Sequence, residues 1–204
     1  MIETETRLTD QPAQIFDDPV AGSQRVFRAV LQALSRPGEH VSLPVSSPCC
    51  PAMPSGLAAI TLTLADYETP LWLDATLAGD ESVRQFLAFH TGAPLTNDTG
   101  KATFALAACA SQLPDFAQFA IGTLEYPDRS TTIVAAVTAF DGGKVLQLEG
   151  PGIDGRVSVA PQGLPEDFPD RMTRNHALFP RGVDIILVTG HTILGLPRSV
   201  NIME

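Results

Sequence analysis

The fold is decided by one segment of the sequence, Phe179-Pro180-Arg181-Gly182-Val183-Asp184-Ile185-Ile186-Leu187-Val188-Thr189-Gly190-His191-Thr192-Ile193-Leu194-Gly195-Leu196-Pro197-Arg198. Two runs of mainly β-branched and aliphatic residues, 183–188 and 192–196, flank a short gap that contains Gly190. Because glycine readily takes the positive φ of a tight turn, this spacing predicts a β-hairpin. The first run is almost entirely apolar, which is typical of a strand buried on both faces of a sheet.

The open end of this hairpin carries two Pro-Arg pairs. Folding at Gly190 brings Pro180-Arg181 to within about three residues of lying opposite Pro197-Arg198. Each proline ends its strand, so each guanidinium is expected just outside the sheet. Two such groups suit a phosphate or phosphonate, because the planar fork of arginine matches these anions. The alternative is pairing with the protein's own carboxylates or with another subunit.

Composition excludes several classes of protein. The chain has 204 residues, of which 44% are hydrophobic and 18% charged, and this predicts one globular domain over residues 15–204 after a flexible arm at 1–14. The net charge of −10 argues against binding to nucleic acid or to anionic membranes. The first residues do not have the pattern of a signal peptide, and no apolar run approaches the roughly 20 residues of a membrane span. The expected location is the cytoplasm.

Helices are predicted in four places. Asp18-Pro19 begins the first with an acidic N-cap and an early proline. Its expected buried stripe, at helical spacing, consists of Val20, Phe27, Val30, Leu31 and Leu34. Further helices are predicted over residues 80–90 and 165–177. The stretch 56–66 fits a helix or a strand, and its length and alanine content favour a helix.

Strands are predicted between these helices, over residues 40–44, 70–74, 102–108, 130–140, 144–149 and 157–160. Asp141-Gly142-Gly143 is typical of a tight turn and is expected to join the strands at 130–140 and 144–149. Strands and helices interleave, and hairpins are frequent. The pattern therefore predicts an α/β fold, a single domain with a central mixed β-sheet flanked by helices.

Two features bear on cofactors. The run from Gly150 through Gly152 to Gly155 matches G-x-G-x-x-G, but the residues after it alternate as a strand. A turn between strands is therefore favoured over a dinucleotide site, which requires a helix at that point. A pyridoxal phosphate enzyme needs a lysine for its Schiff base, and the only lysines, Lys101 and Lys144, adjoin glycines of turns. No cofactor is expected.

Cysteines and histidines indicate neither a disulfide framework nor a metal site. Cys49, Cys50 and Cys109 are odd in number with one adjacent pair, which fits free thiols in a reducing compartment. The four histidines lie far apart and lack the spacing of common zinc motifs. A metal site assembled from distant residues stays open at this point.

Several pieces of the sequence, in order from about residue 16 to residue 200, together resemble the H subunit of bacterial carbon–phosphorus lyase. The pieces are Phe27-Arg28 through Ser35-Arg36-Pro37-Gly38, Glu68-Thr69-Pro70-Leu71-Trp72-Leu73, Phe89-His90-Thr91-Gly92-Ala93-Pro94, Tyr126-Pro127-Asp128-Arg129-Ser130, Leu148-Glu149-Gly150-Pro151-Gly152-Ile153, Asn175-His176-Ala177-Leu178-Phe179-Pro180-Arg181-Gly182-Val183-Asp184 and Leu196-Pro197-Arg198. It is their joint order that makes the resemblance specific, and the poorest match is at residues 44–55.

This resemblance implies a fold related to pyridoxal-phosphate-dependent transferases but without the cofactor, and a helix at residues 56–66. It implies a homodimer when the chain is isolated, and assembly with the G, I and J subunits of a core complex. With its L subunit, that system transfers a phosphonate onto the ribose of ATP, releases adenine and forms a ribose 1-phosphonate 5-triphosphate. Catalysis of this step is credited chiefly to the I subunit, so the resemblance implies a non-catalytic partner here.

The resulting site hypothesis places a phosphonate or ATP triphosphate at Arg181 and Arg198, with the turn amides of Gly150 and Gly152 as further donors. Two other classes of function remain open. One is a stand-alone transferase that binds a phosphonate or a nucleotide. The other is a pure assembly module without an anion cleft.

Overall fold

A computed structural model describes residues 15–45, 50 and 52–203 of the chain. The arm predicted at residues 1–14 lies outside this range, as does Cys49. The helices are α1 (Pro19–Ser35), α2 (Ser55–Leu64), α3 (Ala75–Gly79), α4 (Glu81–Thr91) and α5 (Phe168–His176). The strands are β1 (His40–Ser42), β2 (Leu71–Leu73), β3 (Phe104–Ala107), β4 (Thr132–Ala136), β5 (Leu146–Glu149), β6 (Val157–Val159), β7 (Asp184–Thr189), β8 (Thr192–Leu196) and β9 (Asn201–Met203).

The described strands form two sheets. The larger has the order β1-β8-β7-β4-β3-β2, in which β2, β3, β4 and β7 are parallel and β8 is antiparallel to both of its neighbours. The smaller is antiparallel, with the order β6-β5-β9. Helices α1 to α4 supply the core on one face of the large sheet, while α5 and the small sheet supply it on the other. The α/β fold with a mixed central sheet flanked by helices is thereby confirmed.

The predicted hairpin is the pair β7–β8. Thr189 pairs with Thr192, and Gly190 has a φ of 55° in the turn between them, as the sequence predicts. Strand β7 lies between β4 and β8, and its residues from Ile185 to Val188 are fully buried. An apolar run suits this position because both faces of the strand are covered.

The expected turn at Asp141-Gly142-Gly143 does not join two paired strands, so that prediction is wrong. Strand β4 is shorter than residues 130–140 and pairs only with β3 and β7, whereas β5 belongs to the small sheet. The reason is that β4 is buried on both faces and needs parallel neighbours, while β5 alternates buried and exposed side chains. Residues 137–145 carry the chain from one sheet to the other.

Helix α1 begins where the sequence predicts, but it buries a different face. The side-chain Oδ1 of Asp18 accepts hydrogen bonds from the backbone N–H groups of Val20 and Ala21 at 3.0 and 3.1 Å. Of the expected stripe only Val30 is fully buried, and Val20, Phe27 and Leu31 are exposed by 70%, 48% and 51%. The buried positions are Gly22, Val26, Ala29, Val30 and Ala33.

Small residues line this buried face because α1 packs closely on β8. A Cβ at Gly195 would lie 2.8 Å from the backbone nitrogen of Leu34 and would overlap the carbonyl oxygen of Ala33. A large side chain on that face of the helix would prevent such an approach. The bulky apolar residues of α1 are consequently on the solvent side.

Other local predictions hold with shifted ends. The stretch 56–66 is helical in α2, and α4 is capped by Asp80, whose pKa is lowered mainly by the hydrogen bond from the Ser82 hydroxyl. Helix α5 covers only part of residues 165–177. Two elements, α3 and β9, are absent from the predictions, because each is too short to show a period.

Candidate functional site

Closing the hairpin brings the two Pro-Arg pairs together, as expected from the sequence. Ile185 pairs with Leu196, so Asp184 lies opposite Pro197 at the open end. The Nη1 group of Arg198 is 3.4 Å from the carbonyl oxygen of Pro180. The predicted residues of this end therefore do share one region of the molecule, next to the amino-terminal end of β7.

The guanidinium of Arg198 is held by the protein itself. It donates to both carboxylate oxygens of Asp184, from Nε at 3.1 Å and from Nη2 at 2.5 Å, which is a bidentate ion pair. Nη1 donates to the carbonyl of Pro127 at 2.7 Å, and Nη2 to the hydroxyl of Ser130 at 2.5 Å. With the Pro180 contact, all five N–H groups have acceptors. The arginine thus ties the end of β7–β8 to the turn at residues 127–130, and it has no donor left over for a ligand.

Arg181 is placed differently from Arg198. Its Nε is buried and, within the described residues, has no hydrogen-bond partner. The next residue, Gly182, donates its N–H to the carbonyl of Ile121 at 2.9 Å, and a Cβ at Gly182 would lie 3.3 Å from the Cβ of Arg198. Of the two predicted arginines, Arg181 is therefore the one with a donor that the surrounding protein does not use.

The two predicted glycines lie in the turn between β5 and β6. Gly150 has a φ of 145° and packs on the backbone of Ser199, the residue after Arg198. Gly152 has a φ of 87° and packs instead on Ser35 and Pro37, at the end of α1. The structure thus brings Gly150 to the neighbourhood of Arg198 and Gly152 to a different element. Antiparallel strands flank the turn, which confirms the preference for a turn over a dinucleotide-binding motif.

A cavity of about 320 Å³ lies beside the Arg198 network, on the other side of Ser130. Lys101 and Arg129 line it together with Thr103 and Asp128. The Arg129 guanidinium stacks 4.2 Å above the ring of Tyr126, and Lys101 is 3.4 Å from Asp98. The two cations and the hydroxyl groups of Thr103 and Ser130 are groups that bind small anions, whereas the Asp128 carboxylate opposes an anion. The one signal for this cavity in the sequence is the piece Tyr126-Pro127-Asp128-Arg129-Ser130, which is part of the family resemblance.

The remaining candidate chemistry is sparse. Lys101 and Lys144 are both exposed, whereas a lysine that forms a Schiff base usually lies in a desolvated pocket. Among the described residues no three His, Cys, Asp or Glu side chains are placed to hold a metal ion. Cys50 is a buried free thiol, 3.5 Å from the Ser82 hydroxyl. No helix in the described ranges is long and apolar enough to cross a membrane.

The chain matches a known protein family over nearly its whole length. Residues 14–203 match the family described as Bacterial phosphonate metabolism protein (PhnH). The chain belongs to the PhnH family. The match covers the large sheet, the small sheet and every helix described above, so the resemblance seen in the sequence is confirmed.

Two relatives of the chain are informative. The chain is 43% identical over 189 residues to the alpha-D-ribose 1-methylphosphonate 5-triphosphate synthase subunit PhnH of Rhizobium meliloti, which covers 92% of this chain and 93% of that protein. It is 30% identical over 179 residues to HtxG of Stutzerimonas stutzeri, a protein named as a C-P lyase subunit, with 88% of this chain and 85% of the relative covered. Both relatives are named as subunits of a larger assembly.

Proposed function

We propose that this chain is a subunit of the carbon–phosphorus lyase core complex in the breakdown of organic phosphonates. In this role it supports the transfer of an alkylphosphonate onto the ribose of ATP with release of adenine. The observation that carries the proposal is the end-to-end similarity to a synthase subunit of the PhnH family, at 43% identity. The complex as a whole performs the reaction that the synthase name describes.

The chain itself is proposed to be non-catalytic. Its two lysines are exposed, and Arg198 is saturated by internal acceptors, so the described site offers little for covalent or acid–base chemistry. We further propose that the fold is related to that of pyridoxal-phosphate-dependent transferases without their cofactor. Parallel strands β2, β3, β4 and β7, covered by helices, support that relation.

The proposed partners are a second copy of the chain when it is isolated, and the G, I and J subunits in the complex. Residues 15–204 act as one domain in this proposal, with residues 1–14 as an arm, because β9 pairs with β5 immediately after the large sheet ends. The proposed location is the cytoplasm. A net charge of −10 agrees with partners that are proteins and small molecules, not nucleic acids.

Reconstitution tests this function. Co-expression with the G, I and J subunits is expected to give one complex that contains this chain, seen by size-exclusion chromatography. With the L subunit, ATP and methylphosphonate, the full set is expected to release adenine, and the set without this chain is expected to release far less. Adenine release by this chain alone would support the stand-alone transferase instead. Full activity without the chain would remove the proposal.

The anion pocket at Arg181 and Arg198, with Gly150 and Gly152, stays a prediction, and its support is the unused donor on Arg181. Replacing Arg181 with alanine is expected to weaken binding of methylphosphonate or ATP by about ten- to a hundredfold, because one charged hydrogen bond contributes roughly 1.5–3 kcal/mol. Isothermal titration calorimetry checks this, with Arg156→Ala, at an exposed residue just before β6, as the control. If Arg181→Ala and Arg156→Ala bound the anion equally well, Arg181 would not be part of the binding site. Arg129→Ala would then test the neighbouring cavity.

A further inference from the structure

Strand β1 forms the open edge of the large sheet. It pairs with β8 on one side only, and no described strand lies beyond it. Leu43 donates its N–H to the carbonyl of His191 at 2.7 Å, which places Val41 and Leu43 in the bonded positions of the ladder. Because these bonds alternate, the N–H and C=O groups of His40 and Ser42 point away from β8. Four main-chain groups therefore face the free edge.

A groove of about 400 Å³ runs between this edge and α1. Val41, Ser42, Leu43 and Pro44 form its sheet side. Its helix side is formed by Arg25, Arg28, Ala29 and Gln32. The groove therefore combines an unpaired strand with a row of polar side chains one helix turn apart.

Charge distinguishes this groove from the rest of the surface. Arg25 and Arg28 are exposed, and neither forms an ion pair with any described residue. They are two of only 13 cationic residues in a chain that has 23 acidic ones. Two neighbouring guanidiniums that no described carboxylate neutralises, on an acidic protein, favour an acidic occupant.

The unpaired edge favours a protein segment over a free small anion. A small anion would use the arginines alone. A polypeptide would use the unpaired edge for main-chain hydrogen bonds and the arginines for its acidic side chains.

We propose that the groove between α1 and the free edge of β1 binds an extended acidic segment of a partner protein, which adds a strand to the large sheet. The spacing defines the motif. Arg25 and Arg28 are three residues apart on one helix, which separates their Cβ atoms by about 5–6 Å. Alternate residues of a strand lie on one face about 6.7 Å apart. Two acidic residues separated by one residue therefore match the two arginines.

Binding of an acidic segment in this groove can be measured on the isolated chain. A negative result would therefore be distinguishable from a failure of the proposed function. The probe is a fluorescent peptide of about eight residues that alternates threonine with glutamate, a usual strand length. Its matched control has the same composition with all threonines before all glutamates. Fluorescence anisotropy is expected to show binding of the alternating peptide to the full chain, weaker in high salt, and much weaker binding of the control.

Two variants and one control variant test the components of the groove. Arg25→Glu/Arg28→Glu is expected to reduce the affinity about tenfold or more, because two ion pairs are replaced by repulsion. Lys144→Glu/Arg156→Glu changes the net charge equally at two exposed sites outside the groove and is expected to leave affinity within about twofold. Ser42→Pro removes one outward N–H without touching the ladder to β8, and is expected to weaken binding about fivefold.

Four results would overturn the proposal. The first is no binding of the alternating peptide, and the second is equal binding of the control peptide. In the third, binding is seen only when residues 1–14 are removed, which would assign the groove to the chain's own Glu3-Thr4-Glu5. In the fourth, Arg25→Glu/Arg28→Glu converts a dimer to a monomer in analytical ultracentrifugation, which would assign it to a second copy. Circular dichroism of each variant confirms that loss of binding is not loss of fold.

Discussion

Replacing Asp184 with alanine is expected to lower the free energy of unfolding by about 2–4 kcal/mol, because it leaves the guanidinium of Arg198 largely buried without its counter-charge. The side chains of the pair are only 13% and 23% exposed, so water replaces the lost contacts poorly. Asp184 also accepts the backbone N–H of Arg198 at 2.9 Å, and this bond is lost as well. Urea unfolding followed by circular dichroism measures the difference.

The control for this prediction is an exposed pair of the same type. Glu39 and Arg36 are 3.6 Å apart with side chains 50% and 63% exposed. Glu39→Ala is expected to change the free energy of unfolding by no more than about 0.5 kcal/mol. If Asp184→Ala were as mild as Glu39→Ala, the Arg198 network would not stabilise the hairpin end, and Arg198 would again be a candidate ligand-binding residue.

Gly195→Ala is expected to lower the free energy of unfolding by about 3 kcal/mol, through overpacking against a helix backbone that cannot yield locally. The new methyl group would overlap the carbonyl of Ala33 and lie 2.8 Å from the nitrogen of Leu34. Relief requires that α1 move away from β8 along its length. Differential scanning calorimetry gives the loss as a lower melting temperature and unfolding enthalpy.

A second glycine provides the matched comparison. Gly79 is in α3, and a Cβ there would have no heavy atom within 4 Å. Gly79→Ala is therefore expected to leave stability unchanged or to raise it by about 0.5–1 kcal/mol, because alanine loses less backbone freedom on folding. A Gly195→Ala variant as stable as Gly79→Ala would mean that α1 does not pack on β8 as closely as described.

Much of the fold is predictable because its signals are local. The β7–β8 hairpin is encoded by two apolar runs and Gly190, and α1 by Asp18 and Pro19, all within a few residues of each other. Helix α4 is likewise specified by Asp80 at its start and Gly92, with a φ of 64°, at its end. Signals of this type act within one element and do not depend on its neighbours.

The predictions that were wrong concern contacts between different helices and strands. Helical spacing shows that α1 has an apolar stripe, but the stripe of large residues at Phe27 and Leu31 faces outward because close contact with Gly195 selects small ones. The same holds for β4 and β5, which are separated by a turn sequence and yet belong to different sheets. Tertiary contacts over long sequence distances decide both cases, and no local pattern reports them.

The site was partly predictable for the same reason. The register of a hairpin fixes that Asp184 lies opposite Pro197, so an ion pair between Asp184 and Arg198 could be found from the sequence once the turn is placed at Gly190. The acceptors at Pro127 and Ser130 could not, because they come from a distant turn. Family resemblance supplied the function, which no single motif of the chain encodes.

Strand β5 lies between β6 and β9, and this order has a consequence for biosynthesis. One of its two neighbours follows almost at once in the chain, whereas the other is made only after α5, β7 and β8. While the nascent chain is being translated, one edge of β5 therefore waits for residues 201–203 to leave the ribosome. Removal of residues 201–203 would leave that edge of β5 unpaired in the finished protein as well, so the small sheet depends on them for its third strand.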